Sequence, residues 1–234
     1  MNRQMLGLGT TAAICAVAGF LLYRQWATNP AAPAAPAVPA VPATLPATAP
    51  PDKGADTGSK AVPEQVPDIS LRDLQGKLRS LHEYRGQPTI INFWATWCIP
   101  CRREIPLLNE LHRGHSREQL QIVGIAVDFT DAVRAYTAKT PLSYPLLVGE
   151  QDGVDAAAAF GMQLVLPFSV FVDGGERIVA VKVGELHREE ADAILAAIAD
   201  LGAGKQDLPA TRQRIAEQLR LLSAERARRE VKPS

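Results

Sequence analysis

Ile90-Ile91-Asn92-Phe93-Trp94-Ala95-Thr96-Trp97-Cys98-Ile99-Pro100-Cys101-Arg102-Arg103-Glu104-Ile105-Pro106 is the stretch on which the reading of this chain turns. Its first half closes an apolar run, Pro88 to Trp94, of the kind found in strands buried on both faces. Its second half carries two cysteines three residues apart, where a helix is expected to begin near Cys98 and run past Leu111. Cysteines so placed on the first turn of a helix can form and break a disulfide with each other. Unpaired amide groups and the helix dipole favour the thiolate of Cys98, whereas Cys101 lies a turn inside and is more buried. Arg102 and Arg103 add positive potential close by. Cys98 is therefore the candidate nucleophile and Cys101 the candidate resolving thiol.

Other uses of a cysteine pair fit less well. Half a zinc site lacks its other half, because the chain has only three cysteines and no His pair stands at ligand spacing. A purely structural bridge would close too small a loop to stabilise much. A c-type haem attachment needs His directly after the second Cys, where Arg102 stands. A peroxidase resembling the peroxiredoxins would carry Thr or Ser three residues before Cys98, where Ala95 stands. No metal and no cofactor are expected, and the four His residues receive no function.

Outward from this stretch, strand and helix signals alternate. Ile69 to Leu81 reads as an N-terminal hairpin around Gln75-Gly76-Lys77. Leu120 to Val127 is a second buried strand, Asp131 to Thr140 a helix, Pro145 to Val148 a short strand, and Val154 to Phe160 a short helix. Phe168 to Val172 and Ile178 to Val183 flank the turn Asp173-Gly174-Gly175, and Arg188 to Leu201 closes as a helix. The fold class is α/β, in a domain spanning 64–203 with enough residues for a real core. Pro106 is expected to kink its helix.

The ends are of another kind. From Met5 to Tyr23 run 19 uncharged residues between Arg3 and Arg24, roughly 28 Å as a helix and long enough for a bilayer core. Residues 5–23 read as an uncleaved transmembrane anchor. A cleaved secretory signal at Ala16-Val17-Ala18 is the competing reading, and a lipoprotein is disfavoured by Ile14 before Cys15. Arg3 places the N-terminus in the cytoplasm and the remainder outside. Residues 28–67 hold 10 of the 18 prolines and 11 alanines, so 28–63 reads as an extended, disordered linker. Residues 204–234 carry eight basic and four acidic groups, with Ile215, Leu219 and Leu222 at helical spacing. They read as a solvated helical tail or, alternatively, a basic contact surface for a partner or lipid headgroups. Zero net charge, from 25 basic and 25 acidic residues, gives no footprint for nucleic acid.

The run from Phe93 to Pro106, with Ile90-Ile91-Asn92 before it and Gly161 to Asp173 beyond, resembles the active-site region of TlpA- and ResA-type membrane-tethered thioredoxin-like proteins of bacterial envelopes. The resemblance covers residues 64 to about 203. It implies a thioredoxin fold with an extra N-terminal hairpin, a central mixed sheet flanked by helices, and thiol-disulfide chemistry in the periplasm at the inner membrane. It also implies substrates such as apocytochromes c or copper-site assembly proteins, and electrons from a DsbD- or CcdA-type membrane donor. Pro167 falls where the fold places a cis-proline loop, which would present the Leu166 backbone to an extended substrate. Glu104 matches an acid that some relatives place beneath the cysteines as a proton relay. Trp97 is expected to shield the disulfide edge and touch substrate. Asn92 stands where cytoplasmic thioredoxins carry a buried Asp. Two departures stand out: Phe168-Ser169 follows the proline, and the Gly-x-Pro-Glu motif of dedicated cytochrome c maturation members is absent, which puts the apocytochrome substrate in doubt. The leading function is a tethered protein-disulfide reductase. A net oxidase and a non-catalytic binding module are the alternatives.

Overall fold

A computed structural model describes residues 61–116, 118–163 and 165–231. Seven strands form one mixed sheet in the order β2-β1-β5-β4-β3-β6-β7. They are β1 (Ser70–Asp73), β2 (Leu78–Ser80), β3 (Thr89–Trp94), β4 (Gln121–Ala126), β5 (Leu146–Val148), β6 (Phe168–Val172) and β7 (Ile178–Val183). The helices are α1 (Ile99–Gly114), α2 (Thr130–Lys139), α3 (Gln151–Ala159), α4 (Arg188–Gly202) and α5 (Leu208–Val231), and a 3-10 turn spans Leu81–Tyr84. The central strand β3 runs parallel to β4 and antiparallel to β6. The expected hairpin β1–β2 joins the sheet through an antiparallel pairing of β1 with β5.

Because side chains alternate across a strand, β3 supplies two cores. Ile90 and Trp94 face α1 and α4, where they meet Ile105, Leu108, Ile194 and Ile198. Ile91 and Phe93 face the hairpin and α3, where Phe93 stacks on Phe168 with ring centroids 4.2 Å apart. This double burial is why the strand reads as one apolar run. Asn92 stands on the first of these faces with no exposure, beside the helix that carries the cysteines.

Three expectations need adjustment. Helix α3 begins at Gln151, three residues before the expected Val154. Gln151-Asp152-Gly153 looks like a turn, but Gly153 lies inside the helix because a Cβ there would come within 3.2 Å of Val127. The β6–β7 turn runs to Arg177, with Asp173 Oδ1 accepting the amides of Gly175 and Arg177. The left-handed φ of 64° falls on Glu176, not on either glycine, and its carboxylate is held by His82 and Arg85.

The third adjustment concerns the C-terminal segment, which is helical as expected but packs its first half on the domain, leaving the second half largely exposed. Thr211 and Ile215 of α5 are buried, with Leu208 and Leu219 packed against the same core. Arg212 donates to the Ile178 carbonyl and pairs with Glu64, and Arg214 pairs with Asp200. The expected anchor, 5–23, and nearly all of the linker, 28–63, lie outside the described residues. Among the described residues, no helix is long and apolar enough to cross a membrane.

Candidate active site

Strand β3 ends at Trp94, and four residues later Cys98 caps α1. Its backbone is extended (φ −82°, ψ 107°), as at a helix N-cap, and its Sγ accepts the Cys101 amide at 3.3 Å. Pro100 occupies the first turn, where a missing N–H costs nothing. Cys98 and Cys101 are joined by a disulfide with Cα atoms 5.3 Å apart. Cys98 is 5% exposed and Cys101 not at all. Nucleophilic access from solvent is thus confined to the Cys98 side.

The loop before the pair is fixed from the next strand. Asp128, just past β4, accepts the Thr96 amide at 2.9 Å and the Thr96 hydroxyl, while its other oxygen accepts the Phe129 amide. The sequence reading passed over Asp128; its signal is an acid at the C-terminal end of the strand parallel to β3. The Leu166–Pro167 bond is cis. Phe168, the first residue of β6, pairs with Phe93 near the end of β3, so the cis-proline loop meets the same end of the sheet as the cysteines. Leu166 is half-buried against both cores.

Glu104 lies one turn beyond Cys101 on α1 and is 1% exposed. Asn92 Nδ2 donates to its Oε1 and the Leu186 amide to its Oε2, both at 2.7 Å. Asn92 Nδ2 also donates to Ser169 Oγ at 3.0 Å, so the Ser after Phe168 belongs to this buried network. Burial pushes the Glu104 carboxyl up to about 7, against the two hydrogen bonds and the charge of Lys182, which favour the ionised form. Arg103 is committed to Glu185, with Nε 2.8 Å from Oε2, and Arg102 lies over the Tyr136 ring.

Around Cys98 the surface is apolar. Trp97, Ile99, Phe129 and Val165 are each more than half exposed; Ile99 opens α1, and the other three lie in the loops at this end of β3, β4 and β6. Large apolar side chains exposed together mark a contact surface. Phe129 is the member that sequence reasoning missed. Among the described residues, no group of three or more His, Cys, Asp or Glu is placed to hold a metal.

Residues 62–181 match the model of the AhpC/TSA family. The chain belongs to that family. ResA of Geobacillus thermodenitrificans, a thiol-disulfide oxidoreductase, is 31% identical over 131 residues, covering 56% of this chain and 74% of the relative. The thioredoxin-like protein YneN of Bacillus subtilis is 33% identical over 135 residues, covering 55% and 75%. Among solved structures, a thioredoxin-family thiol:disulfide interchange protein of Chlorobium tepidum is 28% identical with a TM-score of 0.51. It covers 58% of this chain and 97% of its own. A secreted thiol-disulfide isomerase of Corynebacterium glutamicum is 25% identical, with a TM-score of 0.52 over 58% of this chain and 86% of that one. This AhpC/TSA member is accordingly a thioredoxin-fold thiol-disulfide oxidoreductase of the ResA-like kind. The family match stops at Val181, short of α4 and α5.

Proposed function

We propose that the protein is a membrane-tethered reductase of protein disulfides on the outer side of the bacterial inner membrane. In the reduced protein the Cys98 thiolate attacks a substrate disulfide, forming a mixed disulfide and releasing one substrate thiolate, which takes a proton. Glu104 then accepts the Cys101 proton, and the Cys101 thiolate displaces the second substrate sulfur from Cys98. Two electrons pass to the substrate, and the Cys98–Cys101 disulfide remains. Re-reduction needs a dithiol donor, and a DsbD- or CcdA-type membrane protein is the class that the resemblance supplies.

The observation that carries the proposal is Glu104 itself. A carboxyl with no useful exposure, one turn from the buried Cys101 sulfur and pushed up to about 7, is matched to a proton transfer at neutral pH once that sulfur is reduced. The tether is supported by the uncharged run 5–23. The cis-Pro167 loop, with Leu166 and exposed Trp97, offers backbone and an aromatic face to an extended substrate segment. Apocytochromes c and copper-site assembly proteins are the substrate classes to be separated.

Thiol trapping in the native envelope tests the direction of electron flow. A pair that is mostly reduced when a DsbD- or CcdA-type donor is present, and mostly oxidised without one, is the expected result. A pair oxidised in both backgrounds makes the protein a net oxidase. Cys101→Ser should accumulate mixed disulfides that name the substrate, and Cys98→Ser should accumulate none and fail to reduce insulin. Equal biological activity of Cys98→Ser and wild type would instead support a binding module.

A further inference from the structure

The Leu186 amide that holds Glu104 belongs to the short link Gly184–His187 between β7 and α4, and that link is tied to the C-terminal helix through a buried set of charges. Glu190, on the first turn of α4, has no exposure. Its Oε2 accepts the His187 amide at 3.0 Å and lies 3.6 Å from Lys182 Nζ, while its Oε1 lies 3.2 Å from Arg226 Nη2. Lys182, near the end of β7, has a side chain only 13% exposed. It donates to the carbonyl of Val183, the last residue of β7, at 3.0 Å and to that of Glu185, inside that same link, at 3.1 Å. One ammonium is therefore shared between a buried carboxylate and the backbone that presents the Leu186 amide.

The sheet register fixes where this happens. Val183 pairs with Phe168, which pairs with Phe93, so β7 ends and α4 begins at the cysteine end of the sheet. The ion pair with Glu190 brings Arg226, late in α5, to that end. A carboxylate without solvent must have its charge met where it sits. With two cations available, Lys182 remains on the carbonyls of the link. With Arg226 gone, Lys182 alone must answer Glu190 and is drawn off those carbonyls.

We infer that Arg226 of the C-terminal helix is a positioning residue for the redox site, holding Lys182 on the Gly184–His187 link and, through the Leu186 amide, Glu104 beneath the disulfide. The inference rests on the reading of Glu104 as the proton acceptor for Cys101. Glu104 is faced by Asn92 from β3, Lys182 from β7, Glu185 and the Leu186 amide from the link, and the neutral Tyr144 phenol from the loop before β5. Glu185 is already occupied by Arg103, and Glu190 is faced by Lys182, Arg226 and its own cap residue His187. Loosening the link weakens the Leu186 donation and displaces the Lys182 charge. Both changes disfavour the charged form of Glu104.

The test uses the full-length reduced protein mixed rapidly with dithionitrobenzoate. One thionitrobenzoate is released when Cys98 attacks, and a second when Cys101 displaces the first adduct, so the second phase isolates the proton transfer from Cys101. Its rate should rise with pH through about 7 in the wild type. In Arg226→Ala that rise should move to higher pH by about half a unit or more, with the first phase unchanged, since a lost hydrogen bond to a carboxylate moves its titration on that scale. Arg226→Lys should restore the wild-type profile. In a Glu190→Gln background, where no buried charge competes for Lys182, Arg226→Ala should have no further effect. An unmoved profile in Arg226→Ala, or a first phase that moves as far as the second, overturns the inference. Glu104→Gln separates the two levels: if it abolishes the pH-dependent rise while Arg226→Ala leaves it in place, only the role of Arg226 falls. If the rise survives in Glu104→Gln, the proton-acceptor reading falls with it.

Discussion

Burying Glu104 comes at a cost in stability, and pH measures that cost. Its carboxyl titrates near 7 in the folded protein, against an ordinary glutamate value of about 4.3 in the unfolded chain. Between those values the native state holds a proton that the unfolded state has released. Stability therefore falls as pH rises through this window, and the loss is complete above it. At about 1.4 kcal/mol per pH unit, oxidised wild type should lose about 3 kcal/mol between pH 4.5 and 7.5 relative to Glu104→Gln, in which nothing titrates at this position. Denaturant unfolding of both proteins across that range checks it. Parallel stability curves would show that burial does not raise this carboxyl. The sequence marked Glu104 only by its helical spacing from Cys101 and by resemblance; its burial depends on Asn92 and Leu186, which lie 12 and 82 residues away.

At the scale of elements, loops from three strands converge on Cys98, and the sequence showed only two of them. Apolar runs and the Cys-x-x-Cys spacing placed β3, α1, β4 and β6 within a residue or two, because burial on both faces leaves an unambiguous pattern. Trp97 and Leu166-Pro167 were marked as site candidates by the family resemblance and not by any period. Phe129 was marked by neither, since a lone aromatic between a strand and a helix has no period. Only the parallel pairing of β3 with β4, and the carboxylate of Asp128 reaching across to Thr96, bring it to the cysteine end. Its side chain is 62% exposed, so removing it should barely affect folding. Phe129→Ala should raise KM for a protein disulfide several-fold while leaving reactivity toward a small disulfide unchanged, as expected for lost apolar contact of about 1 kcal/mol. Equal kinetics of the variant and wild type on insulin would remove Phe129 from the substrate surface.

Over the whole molecule, net neutrality is a cancellation: residues 64–203 sum to −6 and residues 204–234 to +4. The structure turns that arithmetic into contacts. Lys205, Arg212, Arg214 and Arg226 reach Asp200, Glu64 and Glu190 of the acidic stretch. The pairs of Lys205, Arg212 and Arg214 are partly exposed, and such pairs contribute about 0–1 kcal/mol each. The attraction of Arg226 for the buried Glu190 is offset by desolvation, so the ion pairs are too little alone to seat a 24-residue helix. The apolar side chains of α5 are sparse, and so its sequence resembles a solvated tail; three of them, Leu208, Ile215 and Leu219, nonetheless pack on the core. Ile215 is the decisive one, at 2% exposure. Truncating a buried Ile leaves a cavity and costs about 2–5 kcal/mol, whereas the same change on a solvated tail costs within about 0.5 kcal/mol. Ile215→Ala should therefore lower unfolding free energy by at least 2 kcal/mol in a single transition shared with the rest of the domain. It should also carry the second-phase pH profile in the direction expected for Arg226→Ala, since a helix seated less firmly holds Arg226 less firmly on Glu190. Full stability in Ile215→Ala would return the segment to a tail and leave Glu190 with Lys182 as its sole counter-ion.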